Sequence, residues 1–221
     1  MLLPVVKLGT RLVLSNLRWN RSISALSWKV AVKAMPQCRY HSITRQISVR
    51  LRHCFGYDAI RYCVYTDGAF DLLVALLLKK SVILTDTYAL HSLLRDACRR
   101  LDVKIYCLAG LLKGKLPMGC TGSCFQLDLC IKLVTLIHGI QPIIVVGTAP
   151  TTVFRLIEIV KPLFVIVTAC GQLSSAFVKA NVRLQRSDLD WCVLRGKVGG
   201  LVFASAIING AAMAAKEVRQ V

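Results

Sequence analysis

The sequence predicts an α/β fold, with a mostly parallel sheet, helices on both faces and a single domain. Short and almost continuously apolar runs, such as SVILTD, PIIVVG and PLFVIVTACG, alternate with longer stretches of helical periodicity. Strands of a parallel sheet have this composition because helices bury both of its faces. The 221 residues suffice for one well-packed domain, and no internal repeat interrupts the alternation.

The alternation gives a predicted order of elements. Helices are predicted at HSITRQISVRL and FDLLVALLLKK, followed by the strand SVILTD. The helix LHSLLRDACRRL, the strand KIYCLAG, the helix LDLCIKLVTLIHG and the strand PIIVVG come next. They are followed by the helix TTVFRLIEIVK, the strand PLFVIVTACG, the helix SSAFVKANVRL and the short strand WCVLRG. The small-residue run LVFASAIINGAAMAA is predicted to close the fold as a helix.

Residues 1–38 are predicted to be a basic N-terminal extension, disordered or used for targeting, and residues 39–221 the α/β domain. The net charge is +18, and the first carboxylate of the chain is Asp58. A basic leader fits a targeting segment, a membrane-surface helix or a nucleic-acid arm. Its aromatic residues are sparse and no nucleic-acid-reading motif accompanies them, so nucleic acid is not a predicted partner. A bacterial, cytoplasmic location is predicted, with organelle targeting as the alternative.

Neither a membrane span nor a metal site is predicted. Mean hydropathy is +0.58, but the longest apolar runs are shorter than the roughly 18 to 20 residues of a membrane helix. The ten cysteines are irregularly spaced, and only Cys120 and Cys124 form a close pair. One such pair without a second is a weak zinc signal, and reduced thiols in apolar runs act as small hydrophobic residues.

Small and hydroxyl residues follow four of the predicted strands. They occur in TDT (85–87), GTAPT (147–151), CGQLSS (170–175) and RGKVGG (195–200). Ligands of such folds bind beyond the carboxyl ends of the strands, where N–H groups and the cations Arg195 and Lys197 suit a large polyanionic ligand. Ordinary turns rich in Gly, Ser and Thr are the alternative. The phosphate-binding glycine motifs are absent, so no nucleotide or other cofactor is predicted.

Taken in order, these motifs resemble those of the precorrin-8X methylmutase family of cobalamin biosynthesis. VVGTAPTTVFRLIEIV resembles the family segment GNAPTALFxLLE, and RGKVGGLVFASAIING is similar to RGRxGGSAxAAAxxNAL. FVIVTACGQLSSAFVK, SVILTDTYAL and MGCTGSCFQ are similar to VIGxPVGFVGAAESK, PIxTDxxMV and GxTRSxxA. The resemblance covers about residues 40–215 and identifies the chain as a divergent member.

The resemblance implies an isomerase that moves a methyl group from C11 to C12 of precorrin-8X or its cobalt form. The products are hydrogenobyrinic acid and cobyrinic acid. It also implies a homodimer, a corrin-type polycarboxylate substrate and no metal or nucleotide cofactor. A rim of cations and N–H donors would orient such a substrate. The alternative is a catalytically impaired corrinoid-binding protein that keeps the pocket without the proton donor.

The resemblance also carries over site residues. The family histidine that donates a proton lies in an Arg-x-x-His-Ala-x-Gly segment, and counting back from Gly68 in RYCVYTDG places Tyr65 at its position. A phenol, with a pKa near about 10, is a weaker acid than imidazole at about 6.5, so either Tyr65 substitutes or activity is lost. A partly buried structural aromatic is the other interpretation of Tyr65. The predicted substrate-binding residues are Ser42 (with Ser48 as its alternative), Arg61, Thr85, Asp86, Thr121, Ser123, Gly147, Thr148, Ala149, Pro150, Thr151, Gly171, Lys179, Arg195, Gly196, Gly199 and Gly200.

Overall fold

The computed structural model describes most of the α/β domain. The described residues are 42–111, 127–139, 142–148, 152, 164–168, 190–195 and 198–219, with the isolated helical positions 29, 31 and 33. The chain divides into two units, Met1–Arg39 and Tyr40–Val221, and the elements below belong to the second. The predicted helices TTVFRLIEIVK and SSAFVKANVRL lie almost entirely outside the described residues.

Six strands form one mixed sheet in the described part of the chain. They are β1 Cys63–Tyr65, β2 Ile83–Thr85, β3 Ile105–Cys107, β4 Ile143–Val146, β5 Phe164–Val167 and β6 Asp190–Leu194. Their spatial order is β1-β6-β5-β4-β2-β3, with β1 antiparallel to β6 and all other pairs parallel. Every side chain of β4 and β5 is completely buried, so both faces of the sheet are covered there. The predicted mostly parallel α/β sheet is confirmed.

The described helices alternate with these strands. They are α1 Ser42–Phe55, α2 Ala69–Leu78, α3 Tyr88–Leu101, α4 Leu108–Leu111, α5 Leu127–His138 and α6 Leu201–Arg219, and a 3-10 turn covers Ala59–Tyr62. Helix α3 begins where the Thr87 side chain accepts a hydrogen bond from the Leu90 amide, which is a standard N-cap. Helices α1, α2, α3 and α6 share one apolar core with alternate residues of the sheet, including Ile143, Phe164 and Cys192.

Helices α1 and α6 pack unusually closely. A Cβ atom built on Gly210 in α6 would lie 2.8 Å from the Cα atom of Ile47 in α1. Because that neighbour is backbone, only glycine allows the two helices to approach this far. The closing helix predicted from LVFASAIINGAAMAA therefore has small residues where it meets α1.

Helix α6 is also, among the described residues, the one helix whose length and apolarity would suit a membrane span. Half of its apolar window is buried inside the protein. The buried side, which includes Phe203, Ile207 and Ala211, belongs to the shared core. A core helix meets the same length and composition criteria, so the described residues give no clear membrane segment.

We expect Lys80→Gly to raise the free energy of unfolding by about 0.5–1 kcal/mol, because Lys80 ends α2 in the left-handed conformation that costs an L-residue about 1–2 kcal/mol. Lys80 has φ 58°, and its amide donates to the Leu77 carbonyl (3.1 Å). The substitution also removes an exposed ion pair with Asp102, but such pairs contribute only about 0–1 kcal/mol.

Urea unfolding of the full chain measures this change. Lys79→Gly is the matched control, because Lys79 has φ −75° and gains nothing from glycine. The free energy of unfolding of the Lys79→Gly variant should be lower than that of the natural chain by up to about 1 kcal/mol. Equal losses for the two variants would contradict the assignment of strain to Lys80.

Candidate functional site

Most of the described members of the predicted site gather at one edge of the sheet. The carboxyl ends of β6, β5, β4 and β2 lie there side by side. Strand β1 is antiparallel to β6, so its amino end reaches the same edge, where the Arg195 amide donates to the Tyr62 carbonyl (2.8 Å). We call this edge the rim, and its described members are Arg61, Tyr62, Asp86, Gly147, Thr148, Thr168, Arg195, Gly199 and Gly200.

A buried carboxylate connects two of the strand ends. Asp86, which follows β2, is 3% exposed. Its Oδ2 atom accepts hydrogen bonds from the Gly147 amide (3.0 Å), the Thr148 amide (2.8 Å) and the Thr148 hydroxyl (3.3 Å). The sequence predicts these donors as contacts for a substrate anion. In the structure they already have an anionic acceptor within the protein.

Gly147 also lies against the beginning of α6. A Cβ atom at this position would be 2.9 Å from Leu201 Cδ2 and 3.1 Å from Leu90 Cδ2. The neighbouring strand end is fixed in a similar way, because the Thr168 hydroxyl donates to the Gly200 carbonyl (3.0 Å) and the Gly200 amide donates to the Thr168 carbonyl. Gly200 has φ 110°, a conformation that favours glycine. Close packing and backbone geometry thus account for two of the predicted glycines.

The predicted residue Thr85 lies inside the sheet. It is completely buried, and its hydroxyl is 3.2 Å from the Tyr106 carbonyl of β3 and 3.4 Å from the Thr87 carbonyl. The structure therefore places Thr85 beneath the surface of the rim. Thr168, which sequence reasoning did not select, lies directly after β5, and the rule that ligands bind at strand ends could have found it.

Two cations mark the β1–β6 end of the rim. Arg61 and Arg195 are both exposed. The Arg61 guanidinium lies 5.2 Å from the centroid of the Tyr62 ring and 3.3 Å from its hydroxyl. Neither arginine forms an ion pair with a carboxylate in the part of the chain that the structure describes. The described part of the rim is therefore asymmetric, with exposed cations at one end and the buried Asp86 carboxylate toward the other.

Tyr65 lies away from the rim. It is the last residue of β1 and pairs with Cys192 in the middle of β6. Its ring is half-buried, with its centroid 4.5 Å from that of Phe70. Because β1 runs away from the rim, Tyr65 is three residues, or about 10 Å, beyond the rim residue Tyr62. The structure thus brings Arg61 and Arg195 together and leaves Tyr65 outside their group.

Two buried thiols belong to the apolar core of the domain. Cys192 is completely buried, and a hydrogen bond with Cys63 together with its burial raises the pKa of its thiol well above the ordinary value. Burial raises the pKa of the Cys98 thiol to about 12. Both groups are therefore neutral thiols at physiological pH and act as small hydrophobic side chains.

The remaining predicted residues cannot be placed at the rim. Thr121, Ser123, Ala149, Pro150, Thr151, Gly171, Lys179 and Gly196 lie outside the described residues. Ser42 begins α1, and its alternative Ser48 is completely buried, with a hydroxyl that has no hydrogen-bond partner among the described residues. Among the described residues there is no group of three His, Cys, Asp or Glu side chains that could hold a metal ion.

Comparison with protein families identifies the fold and the family. The family model described as CbiC, precorrin-8X methylmutase, matches residues 22–214. The chain belongs to the precorrin-8X methylmutase family. The match begins at residue 22 and so includes part of the segment assigned above to the N-terminal extension. Membership places the chain among the isomerases of corrin biosynthesis.

Solved structures of precorrin-8X methylmutases share this fold. The chain is similar to the precorrin-8X methyl mutase from Thermus thermophilus with a TM-score of 0.72 and 16% identity, covering 89% of this chain and 98% of that one. A precorrin-8X methylmutase related protein gives a TM-score of 0.56 and 19% identity, covering 85% of this chain and 99% of that one. No curated protein matches the sequence. Because the sequence identities are only 16% and 19%, the structural similarity establishes the fold alone.

Proposed function

We propose that the chain moves a methyl group from C11 to C12 of precorrin-8X, or of its cobalt form, to give hydrogenobyrinic acid or cobyrinic acid. The observation that carries the proposal is the family match across residues 22–214. The rim supports it, because exposed Arg61 and Arg195 suit a ring that bears many carboxylates. A homodimer and a cytoplasmic location stay predictions.

In this proposal the rim binds and orients the ring. Arg61 and Arg195 would form charge-assisted hydrogen bonds with substrate carboxylates, which fixes the ring relative to the sheet. Asp86 would hold the Gly147–Thr148 turn in a single shape through the three hydrogen bonds described above. An intramolecular shift depends on such positioning, since both the migrating group and its acceptor belong to one molecule.

A specific observation favours a second function, a corrinoid-binding protein with impaired catalysis. Tyr65 is the residue aligned with the family's proton donor, and it packs against Phe70 about 10 Å beyond the rim. An acid in that place would reach the ring only if the substrate entered beside β1. The second function therefore keeps the cationic rim and lacks the proton transfer.

The two functions are separated by mixing the purified full chain with precorrin-8X and recording visible spectra over time. The methylmutase proposal expects the pink product hydrogenobyrinic acid to accumulate in proportion to protein concentration. A bound substrate spectrum without product would support the binding protein and overturn the enzyme. Failure to bind, checked by gel filtration of the mixture, would overturn both.

We expect Tyr65→Phe to lower kcat about tenfold or more with little change in KM if the phenol is the acid, because general acids contribute about 10²–10⁴-fold. Steady-state spectra with precorrin-8X measure both constants. Tyr65→His restores the residue type of the family and should raise kcat above that of the natural chain. Unchanged kcat in both variants would remove Tyr65 from the mechanism.

We expect Arg195→Ala to raise KM about tenfold, because a charge-assisted hydrogen bond contributes about 1.5–3 kcal/mol. The loss should appear in substrate affinity, since the cation orients the ring and takes no part in its bonding changes. Arg99→Ala is the matched control, because Arg99 is an exposed arginine in the last turn of α3. Equal KM values for the two variants would mean that the rim cation does not contact substrate.

A further inference from the structure

A concave site lies between the C-terminal parts of α3 and α6. It is a cleft of about 270 Å³ whose apolar lining includes Leu101, Ala212 and Met213. Both helices begin at the rim, after Asp86 and Gly200, and run to the opposite edge of the sheet. Helix α6 has 19 residues and is therefore about 28 Å long at 1.5 Å per residue. The cleft is separate from the rim and independent of the proposed methyl shift.

Three cations converge on this cleft. Arg100 comes from the last turn of α3, and Lys216 and Arg219 come from the last turn of α6. Cations are common at helix C-termini because they interact favourably with the helix dipole. The helix dipole accounts for a cation at the end of each helix. It does not account for three cations from two helices that line one apolar cleft.

The carboxylates next to the cleft in sequence are engaged elsewhere. Both oxygens of Glu217 accept hydrogen bonds from the Gln46 side chain of α1, at 2.8 and 2.9 Å. Asp102 is paired with Lys80 at the end of α2. Lys80 and, to a smaller extent, Lys104 and Arg219 lower the pKa of the Asp102 carboxyl, so one of the cleft cations lies within electrostatic reach of this acid. Among the described residues, however, no carboxylate forms an ion pair with any of the three cleft cations. The cleft therefore keeps a positive charge that an anion would compensate.

We propose that this cleft binds a small amphiphilic carboxylate, a molecule with one carboxylate head and an acyl or aryl tail. The arginines and Lys216 would bind the head, because guanidinium groups pair with carboxylates in a fork geometry. The tail would lie on Leu101 and Met213, and the unbranched methionine adapts easily to different tails. The volume is just below the range of about 300–1000 Å³ typical of ligand sites, so the molecule is small.

The test uses the full chain with ¹³C-labelled methionine methyl groups and decanoate as the ligand. The chain has four methionines, and the Met213→Leu variant identifies the signal of the residue in the cleft. We expect decanoate to shift that signal saturably. The double variant Lys216→Gln/Arg219→Gln should weaken decanoate binding about 100-fold or more, because each lost charge-assisted hydrogen bond costs about 1.5–3 kcal/mol.

Arg95→Gln is the matched control, because Arg95 is an exposed cation on the same helix α3 that is not among the cleft residues. Its decanoate affinity should equal that of the natural chain. Ala212→Trp fills the cleft and should abolish the decanoate shift of the Met213 signal while the cations remain, so the proposal stays testable if the double variant does not fold.

Four outcomes would overturn the proposal. An unchanged Met213 signal at millimolar decanoate would show that the cleft does not bind the class. Equal affinity for decanol would show that the cations recognise no head group, and equal affinity for inorganic phosphate would show a simple anion site. Binding confined to phosphatidylglycerol vesicles, with none for free decanoate, would point to a membrane surface instead.

Discussion

Gly210→Ala is expected to lower the free energy of unfolding by about 2–3 kcal/mol, although alanine is the better helix former by up to about 1 kcal/mol. The new methyl group would lie 2.8 Å from Ile47 Cα, 3.2 Å from Ile47 Cγ1 and 3.3 Å from Arg50 Cβ. The first of these contacts is with backbone, so no change of rotamer can relieve it. Helices α1 and α6 would have to separate, and the core that they share would lose packing.

Urea unfolding of the full chain, followed by circular dichroism, measures this loss. Gly110→Ala is the control, because a Cβ atom there would meet only the ring of Tyr88, with its hydroxyl at 3.1 Å. Tyr88 is 48% exposed, so its side chain can move aside at little cost. If both alanine variants were equally stable, the close approach of α1 and α6 would not contribute to folding as we infer.

Asp86→Ala is expected to lower the free energy of unfolding by about 2–4 kcal/mol, because a buried donor without an acceptor costs about 1–3 kcal/mol. The substitution removes the acceptor of the buried Gly147 amide and of the Thr148 amide and hydroxyl. The ends of β2 and β4 would then lose the bridge that holds the turn after β4. We therefore also expect weaker substrate binding at the rim.

Two variants control this experiment. Asp86→Asn keeps one side-chain oxygen at the same place and should lose about half as much stability, since neutral hydrogen bonds are about half as strong as charge-assisted ones. Asp96→Ala removes an exposed carboxylate of α3 and should change stability by less than about 0.5 kcal/mol. Denaturant midpoints for Asp86→Ala and Asp96→Ala that coincide would refute the structural role of Asp86.

The sheet was predictable where the chain is continuously apolar. The strands β4 and β5 are completely buried, and their runs IIVV and FVIV have the composition that burial on both faces requires. Strand β1 was not predicted, because it has only three residues, CVY, and two of them are partly exposed at the sheet edge. Apolar composition identifies central strands, and it carries little information about a short edge strand.

The position of the candidate site at one edge of the sheet was predictable, because it follows from the order of the parallel strands. Chain order alone brings the segments after β2, β4 and β6 to one edge, because parallel strands end together. The pairing of Asp86 with Gly147, 61 residues away, depends on which donors and acceptors meet in space, and spacing does not contain that information.

Tyr65 illustrates the same limit at the scale of a motif. Counting along RYCVYTDG assigns Tyr65 to the position of the family histidine, but it does not show in which direction strand β1 runs. In the structure, β1 runs away from the rim. Counting from Arg61 instead of Gly68 would put Val64 at the histidine position. Neither Tyr65 nor Val64 belongs to the rim in the structure.

If the rim binds the ring as proposed, its asymmetry bears on how a nearly symmetric molecule would be recognised. A tetrapyrrole-derived ring with acidic side chains on every quadrant could sit on a uniform cationic surface in several rotated poses of similar energy. Arg61 and Arg195 occupy one end of the described rim, and toward the other end the Gly147 and Thr148 amides already donate to Asp86. The acidic side chains of the ring would be attracted to the two arginines at one end of the rim. Toward the other end, the Gly147 and Thr148 amides would not bind them, because both already donate to Asp86. Such a surface would break the rotational degeneracy of the ring and decide which carbon atoms face the interior of the protein.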